Sequence, residues 1–137
     1  MARCVVARRV HFNAAHRLHN EAKSAEWNRE TFGPCNHPNY HGHNYELEIQ
    51  VEGTIDPDTG YVVDVGILKR IADEAVVRQL DHRNLNLDVP WFRTRIPSAE
   101  NIAVYCWEQL ADRIPAGRLS LIRLWETPRN YVEYRGA

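Results

Sequence analysis

Cysteine is scarce here: Cys4, Cys35 and Cys106 are the only three in 137 residues, and they show no paired spacing. An odd, unpatterned set argues against a disulfide framework and leaves each thiol free for packing or chemistry. An excess of cations is missing as well. Seventeen Lys and Arg stand against 18 Asp and Glu, for a formal net charge of -1, with no basic run to track a phosphate backbone. Nucleic acid is therefore not an expected partner. No stretch nears the roughly eighteen apolar residues of a membrane span, and the run Cys4–Ala7 is too short for a signal segment. The expectation is a cytoplasmic protein with no membrane partner. Internal repeats and low-complexity tracts are also absent.

What is present fits one domain over residues 1–137. Hydrophobic residues make up 44% of the chain, enough for a core that buries about two thirds of the unfolded surface. Residues 3–13 alternate loosely and predict a strand carrying Val5, Val10 and Phe12. Residues 14–43 are polar, contain Pro34 and Pro38, and predict a long loop of the kind that usually serves function. Residues 44–52 alternate strictly, with Tyr45, Leu47, Ile49 and Val51 on one face and Glu46, Glu48, Gln50 and Glu52 on the other. A turn at 56–60, set by Pro57 and Gly60, would return the chain as a hairpin partner at 61–65.

Two amphipathic helices are predicted next. The first, at 67–80, has a stripe of Leu68, Ile71, Ala72, Ala75, Val76 and Leu80. The second, at 99–113, is entered through Pro97 with Ser98 as N-cap. Strands at 119–126 and 130–135, joined by a turn at 127–129, close the chain. The fold class expected is α+β, an antiparallel sheet in ββααββ order with two helices on one face.

The chemistry gathers in Cys35–Tyr45, CNHPNYHGHNY. Residues two apart on a strand share a face, so His41 and His43 can aim both imidazoles at one point while Gly42 keeps the backbone between them clear. Such a pair needs a third ligand, and His16 or His19 near the end of the first strand can supply it. Imidazoles suit zinc, and three histidines with a fourth position open make a catalytic rather than a structural site. The bland alternative is a solvated strand entry. Cys35 reads as a buried small hydrophobe, a fourth zinc ligand or a reactive thiolate, and its turn-forming neighbours lower the first reading. Asp81 and His82 follow a helix and suit a terminal charged pair. Glu126, at the end of an apolar strand, needs a partner such as an N–H-rich ligand.

Six blocks in one order carry a resemblance: AAHRLH (14–19), CNHPNYHGHNY (35–45), DPDTGYVVD (56–64), LDHRNLN (80–86), AENIAVY (99–105) and WETPRNYVEY (125–134). The chain resembles the 6-pyruvoyl-tetrahydropterin synthase family from the first strand to the C-terminus. That resemblance implies a tunnelling fold (T-fold), in which subunits form a barrel trimer and two trimers stack as a homohexamer with sites at subunit interfaces. It implies Zn2+ held by His16, His41 and His43, Cys35 as catalytic thiol, and Asp81 with His82 relaying protons from a neighbouring subunit. By the same resemblance Glu126 anchors the pterin ring, and Ser98 and Glu100 lie among the substrate-binding residues. The implied substrate is 7,8-dihydroneopterin triphosphate and the implied product 6-pyruvoyl-tetrahydropterin.

A sister branch makes 6-carboxy-tetrahydropterin for deazapurine (queuosine) biosynthesis, with the cysteine usually four residues before the first histidine of its H-G-H. Here Cys35 precedes His41 by six, the wider spacing of the pyruvoyl branch, whereas PSAEN at 97–101 looks more like the carboxy branch. A reading of another class is a non-enzymatic zinc-stabilised binding module in which Cys35 closes the metal site.

Overall fold

The computed structural model describes residues 2–137. Strand β1 (Arg3–His16) pairs antiparallel with β2 (His41–Thr54) along the full length of both, from Arg3 opposite Thr54 to His16 opposite His41. Alternation sends Val10, Phe12 and Ala14 of β1 and Tyr45, Leu47, Ile49 and Val51 of β2 to the same buried face. Phe12 stacks on its cross-strand partner Tyr45 with ring centroids 4.9 Å apart, a pairing that fixes register beyond what hydrogen bonding supplies. Between these strands, the predicted loop contains helix α1 (Ala25–Phe32), followed by a single 3-10 turn at Gly33–Asn36.

The hairpin expected at 61–65 does not form. Both edges of β2 are occupied, by β1 on one side and β4 on the other, so no ladder position is left for a return strand. Tyr61–Asp64 is irregular, and Val62 and Val63 are buried side chains that plug the core. Asp64 instead caps the next helix, its carboxylate accepting from Gly66 N at 2.7 Å. That helix starts earlier than its periodicity suggests. It runs as α2 (Val65–Ala72) through a π turn (Asp73–Val77) into α3 (Arg78–Leu80). Then come β3 (Arg83–Asn84), which lies parallel beside β1, a short α4 (Leu85–Asp88), and a 3-10 turn at Pro90–Arg93.

Helix α5 (Ala99–Leu110) has the expected cap, with Ser98 Oγ accepting from Asn101 N at 3.2 Å. Strands β4 (Arg118–Thr127) and β5 (Asn130–Tyr134) finish a five-stranded sheet of order β3-β1-β2-β4-β5, antiparallel except at β3. Thr127 makes their turn, its hydroxyl accepting from Arg129 N and Asn130 N. One apolar cluster joins Leu68, Val76 and Leu80 of the first helical run and Ile102, Cys106 and Leu110 of α5 to the inner face of β1, β2 and β4. Burying each such Leu or Ile contributes about 1.5–3 kcal/mol.

The opposite face of the sheet is polar. Glu48, only 8% exposed, takes Arg9 at 3.3 Å and Arg123 at 3.0 Å, and the Arg9 guanidinium lies 4.1 Å from the centroid of the Trp125 ring.

Candidate metal centre and its surroundings

The register that pairs His16 with His41 also pairs Ala14 with His43. All three histidines thus share the core-facing side at the open end of the β1–β2 ladder. Their ligand nitrogens lie within 4.8 Å of one another, with ring centroids 4.6–5.1 Å apart. His16 is buried; His41 and His43 are half-buried. Gly42 is not demanded by crowding, since a Cβ there would meet only the Ala14 carbonyl oxygen at an ordinary 3.5 Å. His19 belongs elsewhere: its Nδ1 pairs with the Asn36 amide at 2.9 Å.

The Pro97 carbonyl lies 2.7 Å from His16 Nδ1. A carbonyl only accepts, so Nδ1 carries the proton and Nε2 keeps its lone pair. That Nε2, both ring nitrogens of His41 and Nε2 of His43 are buried without a hydrogen-bond partner among the described residues. Orphaned polar atoms converging on one point are costly unless something fills it, and neutral imidazole nitrogens suit a divalent transition metal. Burial holds the His16 imidazole down to about 4, with His41 and His43 adding to the effect and the Pro97 hydrogen bond opposing it. Burial, then His43, lowers His41 as well. Both shifts favour the neutral form of His16 and His41 that ligation requires.

Glu126 borders the cluster, its two oxygens 3.9 Å from His16 Nε2 and from His43 Nε2. Both distances are too long for hydrogen bonds, which leaves the carboxylate able to accept from a ligand. Together with Ser98 and Glu100 it lines a small cavity of about 190 Å³. Cys35 sits on the 3-10 turn, where its carbonyl accepts from Leu18 N at 2.9 Å. Burial pushes its thiol up, and the Glu126 carboxylate adds to that.

Asp81 and His82 are held elsewhere along β1. Asn13 N donates to Asp81 Oδ1 at 2.8 Å, and His82 N donates to the Asn13 carbonyl at 2.6 Å. The Asn13 amide, and after it His82, keeps the Asp81 carboxyl below the usual carboxylate range. Its other oxygen meets His82 Nδ1 at 2.9 Å, and the imidazole is 82% exposed. His82 adopts a left-handed backbone, φ 59°, which costs a non-glycine residue on the order of 1–3 kcal/mol and persists only where surroundings enforce it. Among the described residues no hydrogen bond or ion pair links this dyad to the three histidines.

The model of the family described as 6-pyruvoyl tetrahydropterin synthase matches residues 5–137. The chain belongs to this family. It is 45% identical over 131 residues to a 6-pyruvoyl tetrahydrobiopterin synthase of Homo sapiens, covering 96% of this chain and 90% of that protein. It is also 37% identical over 119 residues to a dihydroneopterin monophosphate aldolase of Pyrococcus furiosus, covering 86% of this chain and 85% of that one. The structure of Caenorhabditis elegans 6-pyruvoyl tetrahydropterin synthase superposes with a TM-score of 0.95 at 39% identity, over 100% of this chain and 98% of the other.

Within this family member, two contacts of the centre escape a reading of side-chain types. The Pro97 group is a backbone carbonyl, which leaves no mark in sequence. Its position is set by Asn101, whose side-chain amide donates to the Ile96 carbonyl at 2.8 Å. The Tyr45 hydroxyl, 3.4 Å from His16 Nδ1, comes from a residue that its strand alternation marks as core.

Proposed function

We propose that this chain, as a single domain over residues 1–137, is a zinc-dependent carbon–oxygen lyase that converts 7,8-dihydroneopterin triphosphate to 6-pyruvoyl-tetrahydropterin. The observation that carries the reading is the convergence of three imidazoles whose Nε2 atoms have no hydrogen-bond partner among the described residues, beside a free carboxylate. The family and the name of the Homo sapiens relative support the substrate and product. The protein acts in the cytoplasm, in tetrahydrobiopterin biosynthesis, as a homohexamer of two stacked barrel trimers. The ion-paired face around Glu48 suits the lining of a polar lumen.

His16, His41 and His43 would hold the Zn2+, which when bound is a Lewis acid that lowers the pKa of a substrate side-chain hydroxyl. The Pro97 carbonyl orients the His16 ring so that Nε2 is its ligand atom. Glu126 accepts paired hydrogen bonds from the amino group and ring N–H of the pterin, a bidentate match that fixes the ring. Ser98 and Glu100, on the wall of the same cavity, bound the ring from its other side.

Cys35 removes a carbon-bound proton. Burial and Glu126 hold its thiol protonated in the isolated chain, so the base form depends on added positive charge. The imidazole of Asp81–His82, exposed at its own subunit's surface, supplies such charge across an interface and relays the proton. The carbon–oxygen bond to triphosphate breaks in the elimination, and tautomerisation completes the pyruvoyl side chain. Product and triphosphate together account for every atom of the substrate, so no external redox cofactor is needed.

The test is incubation of zinc-loaded protein with 7,8-dihydroneopterin triphosphate. Triphosphate release without acetaldehyde is the expected result. Acetaldehyde would place the protein in the 6-carboxy branch, and no release at all would refute the lyase reading.

A further inference from the structure

A second cavity, of about 410 Å³, is lined by residues next to the histidine centre rather than by the three histidines themselves. Its volume falls within the roughly 300–1,000 Å³ of small-molecule sites. Continuity with the centre is covalent at two points, where Arg17 follows His16 and Tyr40 precedes His41, and hydrogen-bonded at a third, since Pro97, whose carbonyl holds His16, forms part of the wall. Arg17, Arg93 and Arg95 line it, with Glu21 as the one acidic side chain. For a chain with net charge -1, three guanidiniums against one carboxylate is a local reversal of sign.

The cations are prepared for a ligand. Arg17 spends its Nε on the Asn36 carbonyl at 2.8 Å, which fixes the plane of the guanidinium and leaves its terminal nitrogens without acceptors among the described residues. Arg95 is stacked on Trp91, 4.1 Å from the ring centroid, and donates once to the Trp91 carbonyl. Arg93 has no hydrogen-bond or ion-pair partner among the described residues. The His19 Nδ1 accepts from Asn36, so its Nε2–H faces outward, held only loosely by Glu21 at 3.6 Å. Planar forks with free N–H groups match phosphate oxygens better than any other common anion-binding side chain.

We infer that this cavity is the subsite for the polyphosphate tail of the substrate and that Arg93 and Arg95 make the protein favour a triphosphate over a monophosphate. The inference rests on the proposed reaction for the identity of the substrate, but the anion site itself stands on the cavity. A pterin ring at Glu126 and a side chain at the histidine centre leave the tail to exit toward Pro97 and Arg17. Arg17, pinned beside His16, meets the first phosphate; Arg93 and Arg95, farther along the chain and exposed, meet the distal ones.

Inorganic tripolyphosphate is the probe, titrated into zinc-loaded protein at low ionic strength, with zinc content measured before and after because the probe chelates metal. The variants are Arg93→Ala/Arg95→Ala and Arg93→Glu, whose exposed side chains leave the core intact, and Arg70→Ala/Arg78→Ala is the control, removing the same charge from α2 and α3. We expect both cavity variants to bind tripolyphosphate at least about tenfold more weakly, and KM for the pterin triphosphate to rise by a similar factor while the affinity for the pterin monophosphate, measured as a competitive inhibitor, changes little. The control should bind like wild type. Equal binding by wild type and cavity variants, or an equal loss in the control, overturns the inference without touching the lyase reading. Arginine-dependent tripolyphosphate binding in a protein that does not turn the pterin triphosphate over would instead refute the reaction and keep the anion site.

Discussion

His16 and His41 face each other across the β1–β2 ladder, directly paired in register with ring centroids 4.6 Å apart. One alternation further, His43 completes the set, so the centre is a property of strand pairing: a slip by one residue would turn two of the three rings to the other face.

Removal of one imidazole should empty the centre. His41→Ala and His43→Ala are each expected to lose bound zinc by elemental analysis, because two imidazoles hold the metal weakly, while the fold, which packs elsewhere, persists by circular dichroism. Full retention of zinc in either variant would remove that residue from the ligand set.

The metal-free protein should be acid-sensitive in a defined window. The His16 imidazole falls from an ordinary 6.5 to about 4 in the fold, so the unfolded chain binds more protons between those values. Its contribution is fully present above about pH 6.5 and is lost as pH falls toward 4, with His41 acting in the same direction. The loss should reach roughly 3 kcal/mol, read as a falling denaturant midpoint from pH 7 to pH 4.5. A His16→Ala variant should show a much flatter profile, and an unchanged slope would exclude His16 as its source.

Glu126→Gln is expected to raise KM for the pterin at least about tenfold while zinc content stays constant, because an amide donor then faces the donors of the ring. An unchanged KM would remove Glu126 as anchor.

Cys35 and His82 should complement each other across subunits. Cys35→Ala and His82→Ala are each expected to be nearly inactive alone. Co-refolding an equal mixture should restore roughly a quarter of wild-type activity, the share of random contacts that join an intact thiol to an intact imidazole. Mixed oligomers, verified by mass spectrometry, that stay inactive would place both groups in one subunit's site.

Much of this was legible in side-chain pattern. The alternation of Tyr45–Val51, the stripe Leu68–Leu80 and the Ser98 cap each marked an element that forms, although β2 is longer than read, the first helical run starts earlier and passes through a π turn, and α5 ends at Leu110. Helix α1 was not legible because the one residue it buries is polar. Asn28 is wholly buried and satisfied by Asn20, Lys23 and Ser24 rather than by an apolar stripe. The apolar run at 61–65 misled because a buried plug and a buried strand share one composition, and only the occupied edges of β2 distinguish them. At the site, histidine spacing announced the clamp but left His16 and His19 both open, and it is the strand register that sets His16 beside the pair while His19 turns to Asn36. Backbone groups such as the Pro97 carbonyl had no signal to give.

The central claim is an open metal centre served by a separate catalytic thiol, and Cys35→Ala tests it most directly when zinc content, thermal stability and turnover are measured on the same preparation. The account expects zinc retained, stability near wild type and turnover lost. Loss of zinc together with a large fall in stability would make Cys35 a fourth ligand of a closed structural site and contradict it.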